Sequence, residues 1–185
     1  MRSVTLRRRD AEETRAVLDD AVRVHGEVHA EPPFRGVDYY SDERFRDRLA
    51  IAVRQPGFGL LAAEDDGETA GYLYGFALAS YTRWWSPLKD LLPAETTAET
   101  GARTVFIQEI MVRKRWRGRG IARTLHDEFL STRGEERGLM CVEPGNEPAR
   151  SAYLRWGWTP VATTTFAAAG PAFDCLLKPL RRVRV

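Results

Sequence analysis

The chain has 185 residues, and its 28 Lys and Arg residues nearly balance its 26 Asp and Glu residues, giving a formal net charge of +2. With 43% apolar and 10% aromatic residues it can bury a core, so the composition excludes intrinsic disorder and favours a single domain over residues 1–185. The near-neutral balance also argues against a chain coated in nucleic acid, unless charge is concentrated locally. Of the cations, 25 are arginine and three are lysine.

Cysteine and histidine usage predicts no metal site and no disulfide framework. Cys141 and Cys175 are too few for either, and free thiols are typical of a reducing cytoplasm. The stretch from His25 to His29 lacks His-Glu-x-x-His spacing and a third ligand. Neither a secretory signal nor a membrane-spanning segment is visible, since the uncharged run 156–173 is broken by Gly and Pro. We therefore expect a soluble, cytoplasmic protein, monomeric or homodimeric.

Apolar periodicity and turn residues predict strands and helices along the whole chain. In chain order the predicted elements are a strand at 3–8, a helix from Asp10 to about Val28, a helix after Ser41, strands at 58–64 and 70–79, an irregular segment at 80–103, a strand at 105–112, a helix after Gly118, a strand at 139–142, a helix at 146–156, and two strands flanking Gly170-Pro171. This order implies an α/β (α+β) fold, with a mixed sheet and helices on both faces.

The segment from Ile110 to Arg123 is the most informative part of the sequence. An apolar strand runs through Gly118 and Gly120 into an amphipathic helix. Glycines at such a turn allow unusual dihedral angles and close approach of a ligand, while the first amides of the helix point outward. Six cations and no acid fall within 113–123. These features predict a site for a pyrophosphate.

Other phosphate-binding motifs fit this turn poorly. A P-loop needs Gly-x-x-x-x-Gly-Lys-Ser/Thr, which is absent, and a dinucleotide fingerprint needs a third glycine near a first strand. A solvated basic loop or a nucleic-acid contact stays open as an alternative. One Arg-Gly-Arg-Gly copy between a strand and a helix is atypical of a disordered Arg-Gly tract.

Two motifs in this sequence resemble those of the GCN5-related N-acetyltransferase (GNAT) superfamily. Residues 117–122, Arg-Gly-Arg-Gly-Ile-Ala, match its Gln/Arg-x-x-Gly-x-Gly/Ala signature, although 115–120 also satisfy the pattern. Residues 146–158 are similar to its Asn-x-x-Ala-x-x-x-Tyr-x-x-x-Gly-Phe segment, with Trp158 in place of Phe. The resemblance implies a mostly antiparallel central sheet of about 6–7 strands, about four flanking helices and a cofactor-binding core at about 104–161.

The resemblance also implies acetyl-CoA as acyl donor, with the strand backbone pairing the pantetheine arm and the turn amides holding the pyrophosphate. Asn146 would contact the pantetheine, cap its helix, or do both, and Ser151 would contact the phosphates or the adenine side. The implied cofactor-binding residues are Ile110, Met111, Val112, Arg117, Gly118, Arg119, Gly120, Ile121, Ala122, Arg123, Asn146 and Ser151.

Glu109 and Tyr153 are the candidate catalytic residues. Glu109 interrupts an apolar strand, where partial desolvation would raise its pKa toward that of a useful base; the alternative is that strand alternation points it to solvent. Tyr153 matches the family motif and could protonate the leaving sulfur; the alternative is a buried aromatic on the apolar face of its helix.

The acceptor is expected to be a primary amine, because the resemblance implies an N-acetyltransferase, but the acceptor loops match no known pattern. Tyr40, Trp84 and Trp85 lie in predicted loops and are candidates for the acceptor pocket, although loop aromatics also close cores. Cys141 lies in an apolar strand, where a cysteine is usually inert. A non-catalytic acyl-CoA sensor and a nucleic-acid-binding module remain as rival functions.

Overall fold

The computed structural model describes residues 4–166 and 170–180, so Ser3, at the start of the first predicted strand, lies outside it. Over the described residues the helices are α1 (Ala11–Ala16), α2 (Leu18–His29), α3 (Asp42–Ala52), α4 (Ala94–Thr97), α5 (Ile121–Ser131) and α6 (Glu147–Arg155). The strands over the same residues are β1 (Thr5–Arg9), β2 (Gly59–Asp65), β3 (Glu68–Ala77), β4 (Thr104–Val112), β5 (Arg137–Val142), β6 (Thr159–Thr165) and β7 (Ala172–Pro179).

The strands of the described chain form one seven-stranded sheet in the order β1-β2-β3-β4-β5-β7-β6. The pairs β1–β2, β2–β3, β5–β7 and β6–β7 are antiparallel, whereas β4 and β5 run parallel. A parallel pair requires a crossover connection, which α5 supplies between β4 and β5. The predicted mixed, mostly antiparallel sheet is therefore confirmed.

The first predicted helix is interrupted in the structure. Its capping box is present as predicted, because the Asp10 carboxylate accepts from the backbone N–H of Glu13 at 2.9 Å and the Glu13 carboxylate accepts from that of Asp10 at 2.9 Å. At Val17, however, the backbone reaches φ −112° and ψ 20°, and the Val17 N–H donates to the Thr14 carbonyl. The predicted helix is therefore the two helices α1 and α2.

The chain divides into two compact units. The first comprises the described residues of Met1–Phe76 and Gln108–Arg133, and the second those of Ala77–Ile107 and Gly134–Val185. In the first unit, α2 packs on α3 and α5 packs on β2. In the second, β7 lies between β5 and β6, and β6 contacts a 3-10 turn at Ser86–Leu88.

The end of β4 is fixed by an unusually close approach of β3 within the first unit. A Cβ atom at Gly71 would collide with the Met111 carbonyl oxygen and lie 3.0 Å from the Val112 Cα, so only glycine fits at this position. One residue before it, the Ala70 carbonyl accepts from the Arg113 N–H at 2.9 Å. These contacts determine where the chain leaves β4.

A buried histidine occupies the α2–α3 interface of the first unit. His25 is fully buried, with its ring centroid 4.1 Å from that of His29 and 4.2 Å from that of Phe45. Neither ring nitrogen has a hydrogen-bond partner in the described part of the chain. Burial lowers the pKa of His25 to about 3 and that of His29 to about 4, because the charged imidazolium would lose its hydration.

This burial predicts acid-sensitive stability. An unfolded histidine has a pKa of about 6.5, so between that pH and the folded value the unfolded chain binds the extra proton and stability is lost as the pH falls. For His25 alone the loss between about pH 7 and pH 5 should be about 2 kcal/mol. His25→Phe should reduce the pH dependence of the urea-unfolding free energy by this amount.

The matched control is Phe45→Leu, which removes a stacking partner but no titrating group. It should lower the unfolding free energy at every pH without changing its pH dependence. If His25→Phe lost as much stability at acid pH as the wild type, the buried His25 would not be the source of the acid sensitivity.

Candidate active site

The segment after β4 forms the glycine turn anticipated from the sequence. Gly118 and Gly120 have φ angles of +75° and +79°, in the left-handed region that favours glycine. A Cβ at either position would meet no atom within 4 Å, so open space borders both glycines. Gly120 is the N-cap of α5 and makes no side-chain cap to the first turn. The turn therefore offers backbone and space to a ligand at the positive end of a helix.

Carboxylates from elsewhere in the first unit neutralise much of the basic run that precedes this turn. The sequence shows no acid between residues 113 and 123, yet three acids from α2, the segment after it and β3 reach the cations at 113–117. The pairs are Arg113 with Glu27 at 2.6 Å and with Glu68 at 2.5 Å, Arg115 with Glu68, and Lys114 and Arg117 with Glu31 at 3.6 and 3.1 Å. Most of this local charge is thus used within the molecule.

The predicted cofactor-binding arginines differ in what they contact. The Arg117 Nε donates to the Val112 carbonyl at 3.0 Å, so this side chain ties the turn back to the end of β4. Arg123 pairs with Asp127 at 2.5 Å along α5. Arg119 lies exposed between the two glycines and makes no ion pair with any residue of 4–166 or 170–180. It is therefore the arginine best placed to meet an anion.

Glu109 is largely buried in β4, with its side chain 15% exposed, which favours the buried orientation over the solvent-facing one. Burial raises the pKa of its carboxyl, and Arg48, whose Nη2 lies 3.4 Å from the Glu109 Oε1, opposes that rise. A raised pKa makes the carboxylate a stronger base than an exposed one.

Arg48 was not among the residues singled out from the sequence, although it contacts Glu109. In the sequence it is one of three arginines on α3, and only the fold distinguishes it from Arg44 and Arg46. Its Nη1 donates to the Tyr39 carbonyl at 2.6 Å, and its guanidinium lies 4.4 Å from the centre of the Tyr39 ring.

Tyr40, a predicted acceptor contact, belongs to an aromatic stack in the first unit. Its ring is half-buried and lies 4.6 Å from the His29 ring at an interplanar angle of 11°, and it meets Phe34 edge-on at 5.0 Å. Tyr40 follows Tyr39 in a 3-10 turn at Asp38–Tyr40, so the turn that holds Arg48 also carries this candidate.

The predicted site residues of α6 lie in the second unit. Tyr153 is 7% exposed, with its ring edge-on to Trp156 at 5.5 Å, a burial compatible with either of its interpretations. Asn146 caps α6 as predicted, its side-chain oxygen accepting from the Ala149 N–H at 3.4 Å. The Ser151 hydroxyl donates to Glu147 at 2.6 Å within the same helix.

The two neighbouring tryptophans of the 80–103 segment have different environments. Trp85 is 1% exposed and donates from its indole nitrogen to Glu99 at 2.9 Å, so it closes the core of its unit, which was the alternative interpretation of the loop aromatics. Trp84 is half-buried and contacts Phe106 and Phe166 with ring centroids 5.3 and 5.1 Å away. Trp84 thus keeps a partly accessible face.

Glu99 is a buried carboxylate that the sequence did not single out. Its side chain is 1% exposed and accepts from Trp85, from the Thr104 hydroxyl at 2.6 Å and from the Arg137 Nη2 at 3.2 Å. Together with α4 and the 3-10 turn at Ser86–Leu88, it gives order to the segment predicted to be irregular. Only the fold brings Arg137 to Glu99, so no local sequence pattern could have predicted this contact.

Neither cysteine has the character of a nucleophile. The Cys141 Sγ lies 3.7 Å from that of Cys175, across paired strands β5 and β7. Hydrogen bonding to Cys175 and burial raise the pKa of the Cys141 thiol, which suppresses the reactive thiolate.

No group of three or more metal-ligating side chains gathers in the described part of the chain. Nor is any described helix both long and apolar enough to traverse a bilayer.

A family model for the acetyltransferase (GNAT) family matches residues 23–158, which is more than half of the chain. The chain therefore belongs to the GNAT acetyltransferase family, and the resemblance carried by 117–122 and 146–158 is confirmed. No curated protein sequence matches the chain.

Solved structures share the fold at low sequence identity. The ribosomal-protein-S18-alanine N-acetyltransferase of Escherichia coli is 13% identical, with a TM-score of 0.64, over 98% of this chain and 96% of that one. Arabidopsis thaliana NAA60, solved in complex with acetyl-CoA, is 17% identical, with a TM-score of 0.66, over 96% and 99%. Salmonella typhimurium yncA, solved with its cofactor acetyl-CoA, is 15% identical, with a TM-score of 0.59, over 100% and 98%.

The glycine turn makes a direct prediction about the cofactor. Gly120→Val adds a β-branched side chain at a left-handed position and fills the open space beside the turn. We expect the KM for acetyl-CoA to rise about tenfold or more, equivalent to about 1.4 kcal/mol of lost binding.

Gly67→Val is the matched control, because Gly67 has a φ of +80° and equally open surroundings but lies in the β2–β3 turn. It should cost similar stability and leave the KM for acetyl-CoA unchanged. If Gly120→Val bound acetyl-CoA as tightly as the wild type, the turn would not be part of the cofactor-binding site.

Proposed function

We propose that this protein is an acyl-CoA-dependent N-acyltransferase that moves an acetyl group from acetyl-CoA to a primary amine by direct attack on the thioester. The observation that carries the proposal is the strand–turn–helix segment formed by β4, the open turn at Gly118 and Gly120, and α5. It occurs in a chain that belongs to the GNAT family. The fold neighbours solved with acetyl-CoA support the choice of donor.

The residues present fit this donor. The open space beside Gly118 and Gly120 suits the pyrophosphate, and exposed Arg119 supplies a cation beside it. We propose that the backbone of 110–112 pairs with the pantetheine arm and that Asn146 contacts it. The Ser151 hydroxyl is proposed as a contact to the phosphates or the adenine side: its lone pairs can accept from an adenine amino group, whereas donation to a phosphate oxygen would replace its bond to Glu147.

Glu109 is the proposed base. A lysine-like amine has a pKa of about 10.4 and is mostly protonated at neutral pH, so a group on the protein has to take up a proton before attack. The buried Glu109, with its raised pKa, would accept that proton directly or through water. When bound, acetyl-CoA supplies an acetyl group activated as a thioester.

Two further groups complete the proposed chemistry. A main-chain N–H near Val112 would donate to the thioester carbonyl oxygen, where negative charge develops during attack. The Tyr153 hydroxyl would give its proton to the leaving sulfur, since a phenol of pKa about 10 can protonate a thiolate of a thiol with pKa about 8.5. Tyr40 and Trp84 are the proposed acceptor contacts, whereas Trp85 is buried and packs against Trp84 with ring centroids 4.8 Å apart.

We also propose that residues 1–185 act as a single domain with its cofactor-binding core at about 104–161. Each compact unit is built from two separate stretches of chain, and β4 contributes residues to both, so neither unit is a continuous module. The free thiols of Cys141 and Cys175 support a cytoplasmic location.

The experiment that tests this function is a turnover screen with acetyl-CoA across alkylamines, amino acids, aminoglycosides and peptides with free amino termini. We expect release of free coenzyme A and N-acetylation of at least one class, with Glu109→Gln lowering kcat about 100-fold or more.

Two other outcomes would contradict the proposal. Tight acetyl-CoA binding without turnover of any amine would indicate a non-catalytic sensor. Nucleic-acid binding that weakens steeply with salt and is unaffected by coenzyme A would indicate a nucleic-acid module. The carboxylate pairing of 113–117 leaves less free charge for that last function.

The variant Tyr153→Phe distinguishes a catalytic acid from a purely structural aromatic at this position. It removes a hydroxyl and keeps the ring that packs on Trp156, so kcat should fall while the dissociation constant for acetyl-CoA stays unchanged. Isothermal titration and steady-state kinetics measure the two quantities. Full activity would return Tyr153 to a purely structural role.

A further inference from the structure

We propose that Arg48 is a positioning residue that holds the Glu109 carboxylate in place for proton transfer and links it to the 3-10 turn at Asp38–Tyr40. The inference rests on the proposed function, in which Glu109 is the base. Nothing in the sequence motifs or in the family match assigns a role to Arg48, and in this proposal it acts only through Glu109.

The guanidinium of Arg48 is fixed at two of its nitrogens. The Nη2 reaches the Glu109 Oε1 at 3.4 Å, and the Nη1 donates to the Tyr39 carbonyl at 2.6 Å. The Tyr39 ring covers the guanidinium from a centroid distance of 4.4 Å. Because the guanidinium is planar and rigid, it cannot rotate away from Glu109 without losing the Tyr39 bond as well.

The pair is buried on both sides. The side chains of Arg48 and Glu109 are each 15% exposed, and the Arg48 Nε is buried without a hydrogen-bond partner in the described part of the chain. A buried ion pair gains little or nothing in stability over apolar residues of similar size, because both charges lose hydration. The stability of the fold therefore gives no reason for an arginine at this position, whereas control of a buried base does.

Arg48 is the cation among the groups that face Glu109 in the described residues. The others are Tyr72 and Tyr74 of β3, both fully buried phenols. The Tyr72 hydroxyl donates to the Ala21 carbonyl at 3.0 Å, and the Tyr74 hydroxyl has no partner in the same set. Burial raises the pKa of Glu109 and Arg48 lowers it, so removing Arg48 leaves burial unopposed.

The first test measures Glu109 itself and needs no substrate. Carboxyl ¹³C NMR titration of glutamate-labelled protein, assigned with Glu109→Gln, gives the pKa of Glu109 in the wild type and in Arg48→Met. We expect the pKa to rise by about one unit or more in Arg48→Met. An unchanged pKa would overturn the inference.

Arg46→Met is the matched control, because Arg46 lies on the same helix and forms a 2.8 Å ion pair with Asp19. Both partners of that pair are exposed, so its removal should leave the Glu109 pKa unchanged. If Arg48→Met does not fold by circular dichroism, Arg48→Gln replaces it. Gln removes the positive charge but can still donate to Glu109, so a smaller rise in the pKa of Glu109 is expected, and an unchanged pKa would again overturn the inference.

The second test is kinetic. In Arg48→Met we expect kcat to fall about tenfold or more and the acid limb of the kcat/KM pH profile to move to higher pH, with an unchanged KM for acetyl-CoA. Arg48→Lys should restore the position of the acid limb. In a Glu109→Gln background the Arg48 substitution should have no further effect on kcat, because Arg48 acts through Glu109. An additive loss in the double variant would overturn the inference.

The two failures are distinguishable. A wild type that transfers no acetyl group refutes the proposed function, while the NMR titration still decides whether Arg48 controls the Glu109 carboxyl. An active wild type with equal Glu109 pKa values in Arg48→Met and the wild type refutes the positioning role alone.

Discussion

Ion pairing between α2, β3 and the arginine-rich segment after β4 determines where the glycine turn lies in the first unit. The Arg113 guanidinium forms ion pairs with both Glu27 and Glu68, and its backbone N–H donates to the Ala70 carbonyl of β3. The absence of a side chain at Gly71 allows β3 and β4 to approach each other closely. Arg117 then ties the turn to the end of the strand. The basic run thus positions the turn as well as supplying charge, and among its described residues Arg119 is exposed beside the turn without an ion pair.

The base proposed for this site depends on a balance between burial and one guanidinium. Burial alone would keep the Glu109 carboxyl protonated to higher pH, and a fully solvated ion pair would keep it ionised and weakly basic. Arg48 places the carboxylate between these limits and connects it with the turn that carries Tyr39 and Tyr40. In the proposed mechanism, the contacts of Arg48 therefore connect the base with the turn that carries Tyr40, a candidate acceptor contact.

The second unit meets the same problem of a buried carboxylate in a different way. The Glu99 Oε1 accepts hydrogen bonds from an indole, a hydroxyl and a guanidinium, so three donors surround this buried oxygen. This cluster holds Trp85 in the core and leaves Trp84 half-buried. The segment 80–103, predicted to be irregular, is therefore held in part by one polar centre, and its half-buried Trp84 is a candidate acceptor contact.

The sequence by itself determined the features that neighbouring residues encode, namely the capping box at Asp10, the glycine turn and the two motifs that indicate the family, while the order of its elements along the chain indicated the mixed sheet. Such signals involve residues a few positions apart, where local geometry dictates residue type. Only the tertiary structure decided the break at Val17, the close approach at Gly71 and the burial of Trp85. It alone also paired Arg48 with Glu109 and Arg113 with Glu27, 61 and 86 residues apart, because a charge shows no partner until the chain folds back on itself.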